Sequence, residues 1–237
     1  MTAVAKTAGK PPPLAGLTAV GGVTCPGGSR CQGFFSCGAG TNQPPAGCNI
    51  VPAAPVFCRD MNIRTGQPCD LDLLVHIDND ASMLFEQAGM LLDLQRDLEI
   101  TAAARYRWLR CLSAGTVLIA TDDSGESIGF AALGHRDGEP YLDQLSVRLG
   151  AMRQGVGTEL LEASLAVAKQ ARGRALWLTT YAHLSWNRPY YERNGFAVVP
   201  AEECGEELRR ELSFERRLLP SPEHRVPMRK DLQVWPP

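Results

Sequence analysis

No stretch of this 237-residue chain approaches the roughly 18 consecutive apolar residues that a membrane-spanning helix requires. Near the N-terminus, residues 14–23 are interrupted by Gly16, Gly21 and Gly22 and form no convincing export signal. Charge of one sign is also missing. A formal net charge of −2 gives no reason to expect nucleic acid or an anionic membrane as the main partner. Paired cysteines are absent too. The gaps separating Cys25, Cys31, Cys37, Cys48 and Cys58 are five, five, ten and nine residues, and Cys69, Cys111 and Cys204 follow singly. Without a C-x2-4-C pair we expect no metal site, and without an export signal we expect free thiols in a soluble, cytoplasmic protein.

What the chain does have is unevenly distributed. Apolar residues make up 44% and charged residues 21%, enough for a buried core. Residues 1–60 hold ten of the 23 glycines, eight of the 17 prolines and five of the eight cysteines, but only five charged residues. Their net charge is +3, against −5 for the remainder. Pro11–Pro13 and the pair Pro44, Pro45 forbid regular helix, and no periodicity is sustained, so this segment is expected to be a disordered extension. The domain is expected over residues 61–237, with Met61 as the initiator or at least the domain start.

Periodicity over residues 61–237 predicts a strand-like opening, then helices over 71–88 and 100–112. A hairpin follows, with strands 116–121 and 127–133 joined by the turn Asp122-Asp123-Ser124-Gly125. Next come a strand over 141–147, a glycine loop leading into a helix to about 171, and a strand over 175–180. A short helix 189–193, a strand 196–199, a helix 206–219 and a strand 225–232 complete the chain. This is an α/β domain with a mixed, mostly antiparallel central sheet flanked by helices.

The glycine loop carries the chemistry. A helix that starts near Gly155 presents N–H groups without intrahelical partners and the positive end of its dipole, which suits a phosphate. Gly155 and Gly157 remove the Cβ atoms that would hold a phosphate away. A dinucleotide fingerprint needs a third glycine where Leu160 stands, and a Walker loop needs a lysine before Thr158; both are missing.

Two motifs in order point elsewhere. The loop Met152-Arg153-Gln154-Gly155-Val156-Gly157 fits Q/R-x-x-G-x-G/A apart from its first position. About thirty residues later comes Asn187, then Tyr190-Tyr191-Glu192-Arg193-Asn194-Gly195-Phe196. The chain resembles the GNAT N-acetyltransferase superfamily over residues 61–232. That resemblance implies acetyl-CoA as co-substrate, held at its pyrophosphate by the backbone of Met152, Arg153, Gln154, Gly155, Val156, Gly157 and Thr158. It implies that the strand segment Leu145, Ser146 and Val147 holds the pantetheine arm and the acetyl carbonyl, that Asn187 contacts the arm, and that Tyr191 lies near the thioester sulfur. Met152 replaces the usual Gln or Arg, so weakened cofactor affinity is the most that is expected. Ala182-His183 stands where relatives often have Arg-Asp. A homodimer is among the assemblies the resemblance allows.

The implied reaction is acetyl transfer to a primary amine by direct attack in a ternary complex. An alkyl ammonium has a pKa of about 10, so a base must take its proton before attack. By period-two alternation Glu139 and Asp143 share a face, and Asp143 is the expected base. His135 and His183 are weaker candidates, and the resemblance places Glu86 in the helical region that lines the acceptor site, where it is expected to read a cationic substrate. Leu145 N–H is the implied donor to the carbonyl oxygen, and Tyr191 the expected acid for the departing thiolate. The alternative is a non-catalytic acyl-CoA-binding sensor, which would keep the loop and lose the acid–base set. The acceptor is not readable from sequence.

Overall fold

A computed structural model describes residues 61–232. The expected disordered extension, residues 1–60, lies outside the described residues, as do its five cysteines. Strand β1 (Asn62–Thr65) is followed by helices α1 (Leu71–Gln87) and α2 (Leu94–Ser113). Strands β2 (Val117–Thr121), β3 (Ser127–Arg136) and β4 (Glu139–Val147) form a meander. Helix α3 (Val156–Gln170), strand β5 (Ala175–Tyr181) and the short helix α4 (Arg188–Arg193) come next. Strand β6 (Ala197–Val198), helix α5 (Glu206–Leu218) and strand β7 (Arg225–Asp231) close the domain.

The strands form one seven-stranded sheet in the order β1-β2-β3-β4-β5-β7-β6. Every neighbouring pair is antiparallel except β4 and β5. The expected mixed, mostly antiparallel sheet flanked by helices is therefore what forms. Among the described residues no helix is long and apolar enough to cross a membrane.

Alternation along the strands sorts the core into two layers. Val117, Ile119, Phe130 and Ala132 face α1 and α2, packing against Leu74, Ile77, Ala104 and Trp108. Trp108 meets Phe130 edge-on, with centroids 5.2 Å apart. Leu118, Ala120, Ala131 and Leu142 face the other way, onto Leu160, Leu161 and Ala168 of α3. Each fully buried side chain of this size contributes roughly 1.5–3 kcal/mol, so the two layers together fix the sheet between its helices.

One boundary differs instructively from the sequence reading. α2 begins at Leu94, six residues before the expected start, because Asp93 accepts a hydrogen bond from Arg96 N–H at 3.0 Å and caps the helix. Leu94 and Leu98 are 75% and 57% exposed, so the first turns lack the buried stripe that marks the rest.

The β3–β4 hairpin does more than reverse the chain. Asp137 and Gly138 both have positive φ, the two-residue turn whose twist suits a hairpin. The Asp137 carboxylate accepts from Glu207 N–H at 2.9 Å and Leu208 N–H at 3.0 Å, while the Glu207 carboxylate accepts from Asp137 N–H. The hairpin tip thus caps α5 from a distant point in the sequence. Asp137→Ala is expected to lower unfolding stability by about 1–2 kcal/mol, measured by urea denaturation. No change in the midpoint would mean that α5 is capped well enough without it.

Candidate functional site

Strands β4 and β5 share one register pair, Tyr141 with Trp177. Beyond it they separate, leaving the C-terminal half of β4 without a ladder on that side. Arg148 N–H donates to Ile128 O of β3 at 2.9 Å. Backbone groups alternate in direction along a strand, so those of Ser146 also face β3, and those of Leu145 and Val147 face the opened edge.

A bulge sets the side chains on this strand. Ala132 pairs with Gln144 and Leu133 with Leu142, so Asp143 is the extra residue. The bulge turns both Asp143 and Gln144 toward the helices α1 and α2. The Asp143 carboxylate, 3% exposed, lies 3.1 Å from Arg136 Nη2 and 3.3 Å from Arg107 Nε. Glu211 of α5 completes the group, 2.9 Å from Arg136 and 3.6 Å from Arg107. Burial raises the Asp143 pKa, opposed by the two guanidiniums. The carboxylate fits so closely that a Cβ on Gly134 would stand 2.5 Å from Asp143 Oδ2.

Gln144 reaches a second carboxylate. Its Nε2 donates to Asp78 Oδ1 at 2.7 Å and to Ser146 Oγ at 3.0 Å, and Ser146 Oγ donates to the same Asp78 oxygen at 2.6 Å. No cation pairs with Asp78 among the described residues. Burial raises its pKa, with the Ser146 and Gln144 hydrogen bonds working the other way. Its side chain nevertheless stays in touch with the cavity below.

The glycine loop opens onto the same space. After a 3-10 turn (Leu149–Ala151), Arg153 has φ +60° and Gly155 φ +88°, the latter at the N-cap of α3. Thr158 and Glu159 N–H both turn back to Gly155 O, whereas the five N–H groups of Arg153 through Gly157 meet no acceptor among the described residues. Gly155 is demanded by its backbone. Gly157 is not: a Cβ there would find its nearest neighbour, Tyr190 Oη, 3.5 Å away. The missing side chain leaves the start of α3 open to a ligand.

A cavity of about 1350 Å³ joins these parts. Of the residues expected to act, Asp143, Leu145, Ser146, Val147, Met152, Arg153, Gly155, Gly157, Thr158, Asn187 and Tyr191 border it. Gln154 and Val156 do not. Gln154 Nε2 donates to Gly150 O at 2.8 Å, and Val156 is buried in the core against α3. Tyr191 packs edge-on against Tyr190 and Phe196, with centroids 5.1 and 5.7 Å apart. Burial, with Tyr190 beside it, raises its pKa far above that of a free phenol, Arg225 opposing, so the hydroxyl keeps its proton through neutral pH.

Glu139 and His183 lie away from the cavity. The Glu139 carboxylate is tied to Arg174 N–H and Nε, at 2.9 and 2.6 Å. His183 is exposed and stacked near His224. Burial pushes the Cys111 thiol up to about 11 and raises Cys204 as well. Neither offers a thiolate at neutral pH.

Asp78 is the residue that sequence reasoning missed. Its signal was present: Leu74, Ile77 and Ala81 form the buried stripe of α1, and Asp78 stands within it, one turn from Leu74. A carboxylate on a buried stripe is a functional candidate on that ground alone.

Two substitutions separate the carboxylates. Asp143→Asn leaves Arg107 and Arg136 facing Glu211 alone and is expected to cost on the order of 3 kcal/mol in urea unfolding. Asp78→Asn acts in the opposite sense. A carboxyl whose folded pKa is raised contributes stability below its unfolded pKa, and loses it as pH rises through the folded pKa. The amide replaces a group whose charged form is disfavoured by burial, so above the folded pKa the unfolding midpoint is expected to hold or rise. A drop comparable to that of Asp143→Asn would contradict the uncompensated burial of Asp78.

Comparison with known proteins agrees with this geometry. Residues 113–198 match the sequence profile of the family described as acetyltransferase (GNAT) domain. The fold is similar to that of the PaiA N-acetyltransferase of Thermoplasma acidophilum, whose crystal structure contains coenzyme A. Identity is 16% and the TM-score 0.55, over 72% of this chain and 98% of that one. A GNAT-family acetyltransferase of Staphylococcus aureus Mu50 is similar at 15% identity and TM-score 0.55, over 73% and 99% of the two chains. The N-acetylglutamate synthase of Neisseria gonorrhoeae, complexed with coenzyme A and N-acetyl-glutamate, is similar at 21% identity and TM-score 0.51. That likeness covers 73% of this chain and 35% of the synthase.

Proposed function

We propose that this chain is an acetyltransferase of the GNAT superfamily, whose domain profile residues 113–198 match, and that it transfers an acetyl group from acetyl-CoA directly to a primary amine. The working unit in this reading is residues 61–237. The observation that carries it is the run of five N–H groups, Arg153 to Gly157, that have no acceptor among the described residues, at the mouth of a cavity that follows the opened edge of β4. These residues fit coenzyme A. Arg153 to Gly157, with Met152 and Thr158 at either side, hold the pyrophosphate through main-chain donors and the α3 dipole. Leu145 and Val147 offer free main-chain groups to the pantetheine arm, with Ser146 between them and Asn187 across the opening. When bound, the cofactor supplies an acetyl carbonyl open to attack and a thiolate leaving group.

The protein's own groups manage protons. Ser146 Oγ donates to Asp78, so its remaining lone pair is available to an amine N–H, and a proton passes through Ser146 to Asp78. Asp78, without a cation, is a better base than an ordinary aspartate. Asp143 lies between two arginines and positions Arg107 and Arg136 at the cavity wall. We therefore assign the base to Asp78, with Asp143 as its support. Tyr191 keeps a proton to give to the leaving sulfur. Leu145 N–H faces the open edge and is the donor to the acetyl oxygen.

Calorimetric titration of acetyl-CoA into the full-length protein is expected to give micromolar binding, with NAD inert. Gly157→Ala is the sharper probe, because its methyl meets no protein atom closer than 3.5 Å. It is expected to fold normally and to bind acetyl-CoA about tenfold more weakly. Unchanged affinity would remove the phosphate from the helix start.

Two rate measurements test the proton carriers. With amine and base both needing to be unprotonated, log kcat/KM is expected to rise with slope two below the Asp78 pKa and slope one above it. Asp78→Asn is expected to lose the steeper limb, whose break lies above the ordinary aspartate value of about 3.9. Tyr191→Phe is expected to slow turnover by about 100-fold with acetyl-CoA affinity unchanged. A variant turning over at the wild-type rate would leave the sulfur to be protonated by solvent.

A further inference from the structure

The acceptor side of the cavity has a composition of its own. It is walled by Phe85, Met90, Leu94, Trp108, Phe214 and Leu219. Phe85 meets the rings of Tyr181 and Trp186 at 6.1 and 6.2 Å, giving this side an aromatic corner. Trp186 Nε1 is buried without a hydrogen-bond partner.

Its cations are already spent. Arg107 is held by Asp143 and Glu211. Arg225, 8% exposed, pairs with Glu215 at 2.8 Å, donates to Thr179 at 2.9 Å and lies over the Tyr181 ring. The remaining arginines on the cavity, Arg153 and Arg193, belong to the phosphate loop and to α4 beside it. Acidic groups are in the opposite condition. Glu86 at the end of α1 and Asp97 at the start of α2 border the cavity, and neither has an ion-pair partner among the described residues. A carboxylate entering here would be desolvated with no guanidinium to receive it, whereas an ammonium meets two unpaired acids on the way in.

Resting on the acetyl-transfer reading, we infer that the acceptor is a primary amine on an apolar, aromatic body that carries no carboxylate. An amino acid fails for want of a cation. A polyamine fails because its second and third charges would lie against Phe85, Met90 and Trp108. An arylalkylamine satisfies each wall: its ring fills the aromatic corner, a ring hydroxyl accepts from Trp186 Nε1, and its nitrogen faces Ser146 and Asp78.

The test is binding, so that it does not depend on turnover. Tyramine, tyrosine and spermidine are titrated into the full-length protein, with and without saturating coenzyme A. Tyramine and tyrosine differ only by the carboxylate, and tyramine is expected to bind about 30-fold more tightly or better. Glu86→Gln combined with Asp97→Asn is expected to weaken tyramine several-fold and leave acetyl-CoA binding as it was. Tyrosine or spermidine binding as tightly as tyramine overturns the inference, as does failure of tyramine to bind in either state. Tyramine selectivity in a protein that neither binds acetyl-CoA nor acetylates the amine would uphold the acceptor class and sink the acetyl-transfer reading instead.

Discussion

A single register pair, Tyr141 with Trp177, joins β4 to β5, and the layout of the cavity follows from where that pairing stops. Two parallel strands that part company leave main-chain donors and acceptors uncovered inside a domain, which is costly unless something polar enters. The separation is held from below. Tyr141 Oη and Thr179 Oγ1 stand 2.9 Å apart across the junction, and Thr179 also donates to Glu215 at 2.7 Å while receiving Arg225. On the α2 side, Asp143, Arg107, Arg136 and Glu211 brace β4 against α2 and α5. The open edge therefore rests on two buried charged groups that are both internally matched, and it cannot close without breaking them.

That bracing also decides the electrostatics of the cavity. Matched ion pairs are poor at catching ligands, because their charges already face each other. What is left unmatched is informative: main-chain N–H groups at the start of α3, a cation-free carboxyl at Asp78, and two acids near the α1–α2 connection. In the proposed reaction, anion, proton and cation have three separate stations along the cavity. The bulge at Asp143 is what allows neighbouring residues of one strand to serve two of these purposes, bracing through Asp143 and reaching Asp78 through Gln144.

The architecture was legible because alternation and amphipathic stripes are local. The hairpin strands, α3 and the glycine loop stand within a few residues of where the pattern predicts them. Loop and motif positions such as Gly155 and Asn187 were legible for the same reason. Three features were not. The start of α2 was hidden because Leu94 and Leu98 are exposed and break the stripe. The environment of Asp143 was hidden because Arg107, Arg136 and Glu211 come from three different elements, and no sequence pattern announces that they meet. Asp78 was hidden in plain view on the buried stripe of α1: its meaning depends on Ser146, 68 residues later. Pairing across such distances is decided by topology, which period counting does not carry.

The capped turn at Asp137 couples two parts of the molecule that evolve at different rates in most folds, a hairpin tip and a peripheral helix. Its carboxylate reaches α5 across 70 residues of sequence. Helix α5 in turn carries Glu211 and Glu215, one for each buried charged group beneath the cleft. The length of that two-residue turn is therefore not free to drift. An insertion there would move the anchor of α5, rotate both glutamates away from their arginines, and reach the cleft floor without altering a single residue that borders it.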